Sequence, residues 1–214
     1  MTAPPGGPVG VILAGGQATR MGGGDKALLP LGDATILDSV IARLAPQVGA
    51  LALNANGDAA RFAGLGLPVL PDSVEGFAGP LAGVLAGLDW AAGEGAKTIV
   101  TVAGDTPFFP RDLVARLQGA AAGMTHPLVL AATPRGSEDT KSMSAGGKVR
   151  HPTFGLWPVS LRDDLRAALE GGVRKVVVWT EQHAGRDAVF DDEDAFFNVN
   201  TPEDLERARR RAGA

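Results

Sequence analysis

The run Val9-Gly10-Val11-Ile12-Leu13 passes without a spacer into "AGGQATRMGGGDKALL" (14–29). Five unbroken apolar residues suit a strand buried on both faces of a parallel sheet, and such a strand needs a covering layer on each side. The segment after it has five glycines in sixteen residues, with Arg20, Asp25 and Lys26 among them. The stretch reads as a phosphate-binding loop, a flexible linker or the first turn of an ordinary α/β domain.

The chain beyond repeats the alternation of strand and helix. Thr35 and Asp38 have capping-box spacing before an apolar face of Ile36, Val40, Ile41 and Leu44, which predicts a helix over 36–44 closed by Pro46. "ALALNAN" reads as a strand ending on Asn54 and Asn56, and "LPVLPD" as a short one ending on Asp72. Pro80 opens a helix with Leu81, Val84, Leu85 and Leu88 at helical spacing. "KTIVTVAGD" is the clearest strand and leads to Asp105, with a helix predicted from Pro110 to Leu117. "PLVLAAT" and "RHPTFGLWPVS" read as further strands and 161–169 as a helix, whereas "VRKVVVWTEQHAG" (173–185) fits neither period. The segment 134–148 is polar and aperiodic and reads as a mobile loop or lid. Thr201, Pro202 and Asp204 form a strong helix start after "FFNVN".

This order predicts one α/β domain over 1–214, with a mostly parallel central sheet covered on both sides. Ligands of such sheets bind at the carboxyl ends of the strands, which would gather Leu13, Ala14, Gly15, Asn54, Asp72 and Asp105 in one crevice. Hydrophobic residues at 45% and charged residues at 21% match a globular chain. With 20 basic and 24 acidic residues there is no general pull toward nucleic acid or an anionic membrane. The absence of cysteine excludes a disulfide framework, a thiolate zinc site and a cysteine nucleophile. The apolar run 9–14 is too short to span a membrane and no basic residue precedes it, so a soluble, cytoplasmic protein is expected.

Glycine lets backbone amides approach phosphate oxygens, so Gly15, Gly16 and Gly22 to Gly24 suit a phosphate cradle with Arg20 and Lys26 supplying charge. The Walker pattern is absent because Lys26 follows Asp25 and precedes Ala27, and no G-x-G-x-x-G follows the strand.

The same stretch, together with "NAN" (54–56), "PDS" (71–73), "GPLAGVLAG" (79–87), "GDTPFFP" (104–110), "HPT" (151–153) and "FNVNTPEDL" (197–205), resembles the molybdenum cofactor guanylyltransferase family of nucleotidyltransferases. The resemblance implies a three-layer Rossmann-like fold, with a nucleotide-binding half over 1–125 and a pterin-binding half over 126–214. It implies transfer of GMP from GTP to molybdopterin bearing molybdenum, dependent on Mg²⁺, with pyrophosphate released. Lys26, Arg20 and Asp105 would be catalytic, with Asp105 the metal ligand. Leu13, Ala14, Gly15, Gly16, Gly22, Asn54, Asp72 and Gly83 would join Lys26 and Asp105 around GTP. Arg150, His151, Asn198 and Asn200 would lie on the pterin side. Partners beyond these substrates would be transient ones, cofactor-delivery or acceptor proteins, with neither nucleic acid nor a membrane among them.

Alternatives remain for several residues. Asp105 could cap the helix after Pro107, Asp72 could make an Asx turn, and Gly83 could serve only helix packing. Asp25 could hold Lys26 or Arg20, or cap the turn. Cytidylyltransferases of the same cofactor and sugar-nucleotide pyrophosphorylases are the rival enzymes, although they usually carry "AAG" where this chain has LAGG at 13–16. A nucleotide- or pterin-binding module without chemistry is the rival outside the enzymes.

Overall fold

The structure, a computed structural model, describes residues 7–15, 25–74, 76, 79–134 and 147–213. Gly16, Arg20, Gly22, Gly23 and Gly24 lie outside the described residues, as does 135–146 of the expected loop. In chain order the elements are β1 (Val9–Leu13), β2 (Pro30–Leu31), β3 (Ala34–Thr35), α1 (Ile36–Leu44), β4 (Leu51–Asn54), β5 (Val69–Leu70), α2 (Pro80–Gly93), β6 (Thr98–Ala103), α3 (Leu113–Ala120), β7 (Val129–Pro134), β8 (Lys148–Pro158), α4 (Arg162–Glu170), α5 (Val176–Gln182), β9 (Arg186–Val189) and α6 (Pro202–Ala212).

Seven strands form one sheet in the order β5-β4-β1-β6-β8-β7-β9, and β2 pairs with β3 apart from it. β5, β4, β1 and β6 run parallel, as do β7 and β9, while β8 is antiparallel to both of its neighbours. The mostly parallel expectation therefore holds, with one reversed strand. β7 and β8 are consecutive in sequence and pair antiparallel, a connection that needs no crossover helix.

Alternation along the central strands builds two cores. Val9 and Val11 of β1 and Ile99 of β6 pack with Leu81, Val84, Leu85 and Leu88 of α2, Leu165 of α4 and Trp179 of α5. Ile12, Val100 and Val102 face the other way onto Leu37, Val40 and Leu44 of α1 and Leu113 and Leu117 of α3. Both faces are thus covered, which makes three layers and accounts for the unbroken apolar strands. α6 closes a smaller cluster in which Leu205 and Ala208 meet Leu31, Ile36 and Val199.

The ambiguous segment 173–185 contains α5. Three consecutive valines are poor helix formers, but Val176, Trp179 and Thr180 fall on one helical face and are buried. The Trp179 ring lies 6.2 Å from that of Trp157, and its Nε1 donates to Asp164. Packing, rather than propensity, decides the element. β9 carries no strand signal in the sequence, because Arg186 and Asp187 leave it without an apolar run. α3 begins at Leu113 instead of Pro110, with Asp112 at its N-cap position, so Asp105 caps no helix. Both expected capping boxes, Thr35 with Asp38 and Thr201 with Asp204, are present. Among the described residues no helix is long and apolar enough to cross a membrane.

Candidate active site

Parallel register brings the ends of three strands together. Leu13 lies opposite Asn54 on one side and Ala103 on the other. Ala14 N donates to Asn54 O at 2.9 Å, and Gly104 N to Leu13 O at 2.9 Å. Gly104 suits this closeness, since a Cβ there would stand 3.1 Å from Ala14 Cβ and 3.3 Å from Leu13 O, tighter than ordinary contact. Leu13 and Ala14 are half-buried and Gly15 is exposed along this edge.

Two polar clusters occupy it. In the first, Lys26 Nζ donates to Asp105 Oδ2 at 2.6 Å and to Asn200 Oδ1 at 2.6 Å. The Lys26 and Asp105 side chains are only 13% and 23% exposed, so solvent screens their pairing less than that of a surface pair. Thr106 Oγ1 lies 2.5 Å from Asn198 Oδ1 and 3.3 Å from Asp105 Oδ1. A hydroxyl has one proton, so the shorter contact takes it and Asp105 Oδ1 keeps lone pairs for a ligand.

Asn198 and Asn200 reach this cluster because Val199 N donates to Asp105 O at 2.9 Å while the Val199 side chain is buried below. Residues 197–200 form no ladder strand, yet the two asparagines reach the same cluster: Asn198 meets Thr106 and Asn200 meets Lys26. The α6 cap also fixes the backbone, since Asp204 Oδ2 accepts from both Asn200 N and Thr201 N.

In the second cluster Asp72 gathers two amides. Asn54 Nδ2 donates to Asp72 Oδ1 at 3.0 Å and to Leu70 O at 3.1 Å, and Asn56 Nδ2 donates to Asp72 Oδ2 at 2.8 Å. Asp72 N in turn donates to Asn56 Oδ1. Gly83 of α2 makes room for this arrangement, since a Cβ at 83 would collide with Asn54 Oδ1 and stand 2.9 Å from Leu13 Cδ2. Its role is therefore more than helix packing.

Asp25 links the signature loop to the second cluster. Its carboxylate pairs with Arg61 Nε at 2.5 Å, and Arg61 also donates to Asn56 O and Asp58 O. Thus Asp25 holds neither Lys26 nor the helix start, where it makes no side-chain cap. Arg61, Asn56 and Thr106 were not among the expected site residues. "NAN" and "GDT" drew attention to their neighbours, but nothing local in sequence marks Arg61.

Arg150 and His151 stand at the start of β8, on the same edge of the sheet, yet they are tied elsewhere. Arg150 pairs with Glu181 at 2.6 Å and Asp187 at 2.8 Å, and these bonds outweigh burial to raise its pKa. His151 Nε2 lies 3.0 Å from Thr133 Oγ1, and its ring stacks on Phe196 at 4.1 Å. Burial lowers its pKa to about 4, so the imidazole is neutral near pH 7. Neither side chain joins the Lys26–Asp105 cluster.

Among the described residues no three His, Cys, Asp or Glu side chains converge to hold a metal ion. One carboxylate beside amide oxygens suits a hard divalent cation that takes its remaining ligands from phosphates and water. Asp105, with the Asn200 and Asn198 oxygens nearby, has that chemistry.

The family model for the MobA-like NTP transferase domain matches residues 10–185. A molybdenum cofactor guanylyltransferase of Mesorhizobium japonicum is 51% identical over 208 residues, 94% of each chain. One from Bradyrhizobium sp. is 50% identical over 209 residues, covering 95% of this chain and 92% of the other. The chain belongs to the molybdenum cofactor guanylyltransferase family. It is accordingly a nucleotidyltransferase. Among solved structures, molybdopterin-guanine dinucleotide biosynthesis protein A of Archaeoglobus fulgidus matches with a TM-score of 0.68 at 21% identity, over 96% of this chain and 98% of that one. The 4-diphosphocytidyl-2C-methyl-D-erythritol synthase of Anaerococcus prevotii matches at 0.73 and 16%, over 98% and 100%. These likenesses are of fold alone, and the fold is shared with a protein named for a different nucleotide base. Membership of the guanylyltransferase family rests instead on sequence identity.

Proposed function

We propose that the protein transfers GMP from GTP to the terminal phosphate of molybdopterin bearing molybdenum. The observation that carries this reading is the meeting of Lys26, Asp105 and Asn200 beside the Asn54–Asp72 pair, in a chain half identical to proteins named guanylyltransferases. An oxygen of the molybdopterin phosphate forms a bond to the α-phosphorus. The bond from that phosphorus to the oxygen bridging to the β-phosphate breaks, and its electron pair leaves on pyrophosphate. An anionic phosphate is already a nucleophile, so no covalent enzyme intermediate is required and positioning with charge neutralisation supplies the rate.

In this reading Lys26, held by two of its three donors, offers the third to the phosphates. Arg20 and the Gly15, Gly16 and Gly22 amides would complete the cradle. Mg²⁺, held by Asp105, would neutralise charge on the leaving oxygens. Asp72 and Asn54, supported by Gly83, would face the guanine or its ribose, a carboxylate being a good acceptor for the N1–H and exocyclic amine of guanine. We assign residues 1–125 to the nucleotide and 126–214 to the pterin, in a cytoplasmic enzyme with transient contacts to cofactor-delivery or acceptor proteins. Asn198 and Asn200 would serve the pterin phosphate or the metal. Arg150 and His151 would shape that side from below, through Asp187 and Phe196.

The test is incubation with Mg²⁺, molybdenum cofactor and radiolabelled GTP or CTP. Label from GTP is expected in the dinucleotide, with pyrophosphate released in equal amount. Efficient CMP transfer with no GMP transfer would overturn the guanylyl assignment, and nucleotide binding without any pyrophosphate release would favour a non-catalytic module.

A further inference from the structure

A cavity of about 410 Å³ opens among the loops flanking α3 and the end of α6, and none of Lys26, Asn54, Asp72 or Asp105 lines it. Three guanidinium groups do: Arg43, Arg116 and Arg211. Arg43 and Arg116 have no carboxylate within salt-bridge distance among the described residues, and their hydrogen bonds go to the backbone, Arg43 to Phe109 O at 3.1 Å and Arg116 to Val189 O. Each guanidinium carries five N–H donors, so both keep donors to spare. A fourth arginine stands close by. After burial, the like charges of Arg111 and Arg211 are what push the Arg43 pKa down. Such crowding is unexpected by composition, since the whole chain carries a formal net charge of -4.

We propose that this cavity is a phosphate-binding site, separate from the nucleotide site, for inorganic phosphate or a phosphomonoester. Guanidinium forks match phosphate oxygens in pairs and give the strongest hydrogen bonds available to such an anion. Two of them are held in place beforehand: Arg116 lies 4.3 Å over Phe190 and Arg211 4.6 Å over Phe108. Ordering these long side chains in advance removes part of the entropy that binding would otherwise lose. The volume falls within the range of small-molecule sites. Two carboxylates also line the cavity, but Asp192 is committed, its Oδ1 accepting from Ala195 N and its Oδ2 lying 3.8 Å from Arg211. Asp191 makes no ion pair among the described residues and is the less compensated of the two charges opposing the anion.

The experiment is a site-resolved magnetic resonance titration of the whole chain, with inorganic phosphate in one arm and glycerol 3-phosphate in the other. Saturable shifts are expected at Phe108, Arg116, Phe190 and Ala195, on a curve distinct from any at Lys26 and Asp105. Arg116→Gln removes a charge-assisted bond and should weaken binding about tenfold. Arg111→Gln, at an exposed position with no hydrogen bond among the described residues, should weaken it about threefold, and Asp191→Asn should strengthen it about threefold. Equal affinity for the two anions assigns recognition to the phosphate, and tighter binding of the ester assigns part of it to a carrier packed on Phe108 and Phe190. No saturable shift at these residues, or saturation unmoved by Arg111→Gln and Asp191→Asn, overturns the proposal even if Arg116→Gln fails to fold.

Discussion

The two halves of the sheet edge treat their polar residues in opposite ways. Over β1, β4 and β6, Lys26 bonds to Asp105 and Asn200, and Asn54 to Asp72, at the strand ends, where in the proposed reading a substrate would take the place of a protein partner. At the start of β8, Arg150 and His151 are satisfied by Glu181, Asp187, Thr133 and Phe196, groups that belong to the frame. A charged residue at a strand end thus has two fates, and which one it meets depends on the neighbours that tertiary folding supplies. Substitutions in the first region should act on turnover, and those in the second on stability.

The sharpest break of that contrast is Asp105→Asn, expected to lower kcat by roughly 10³-fold with the melting temperature nearly unchanged. A variant retaining full pyrophosphate release would remove Asp105 from the chemistry. Lys26→Gln should reduce kcat by about 10²-fold, with weaker GTP binding, because the amide keeps a donor for Asn200 but carries no charge. On the other side, His151 lends itself to a pH measurement. Its folded pKa of about 4 lies below the ordinary 6.5, so the unfolded chain binds more protons between these values. Its contribution is complete above about pH 6.5 and is lost as pH falls toward 4, on the order of 3 kcal/mol in all. Urea unfolding across that range should show the slope, and His151→Gln should flatten it.

Two smaller effects probe the amide cluster. Gly83→Ala drives a methyl group into Asn54, and we expect a loss of about 1–3 kcal/mol with a raised KM for GTP. If stability falls while that KM holds, Asn54 does not meet the nucleotide. Arg61→Gln releases Asp25, and steady-state kinetics should give a KM for GTP higher by about threefold at constant kcat, with stability within about 1 kcal/mol. A change confined to kcat would place Asp25 with the charged cluster instead.

Much of this was legible in the chain. Buried strands β1 and β6 announce themselves because both faces are apolar, and the helix starts at Thr35 and Thr201 because capping is a local interaction. Asp105 and Lys26 were readable as a strand-end carboxylate and a loop cation in a known signature. Arg61 was not, since its meaning comes from Asp25 across the site, and Thr106 depends on Asn198, 92 residues away. α5 was hidden because its valines favour extended structure and the contacts that favour the helix, those of Trp157 and Asp164 among them, come from other elements. The reversal of β8 arises from pairing between strands, which no single strand records.

The bond from Lys26 to Asn200 joins positions 174 residues apart. During synthesis the ribosome would release Lys26, Asp72 and Asp105 long before Asn198, Asn200 and the helix that fixes them. A nascent chain can therefore assemble most of its sheet while its lysine still lacks one of its two holders. Under the proposed function the strand-end cluster closes only once residues 198–204 have been made, so a product terminated before them would be sheet-like and inactive rather than partly active.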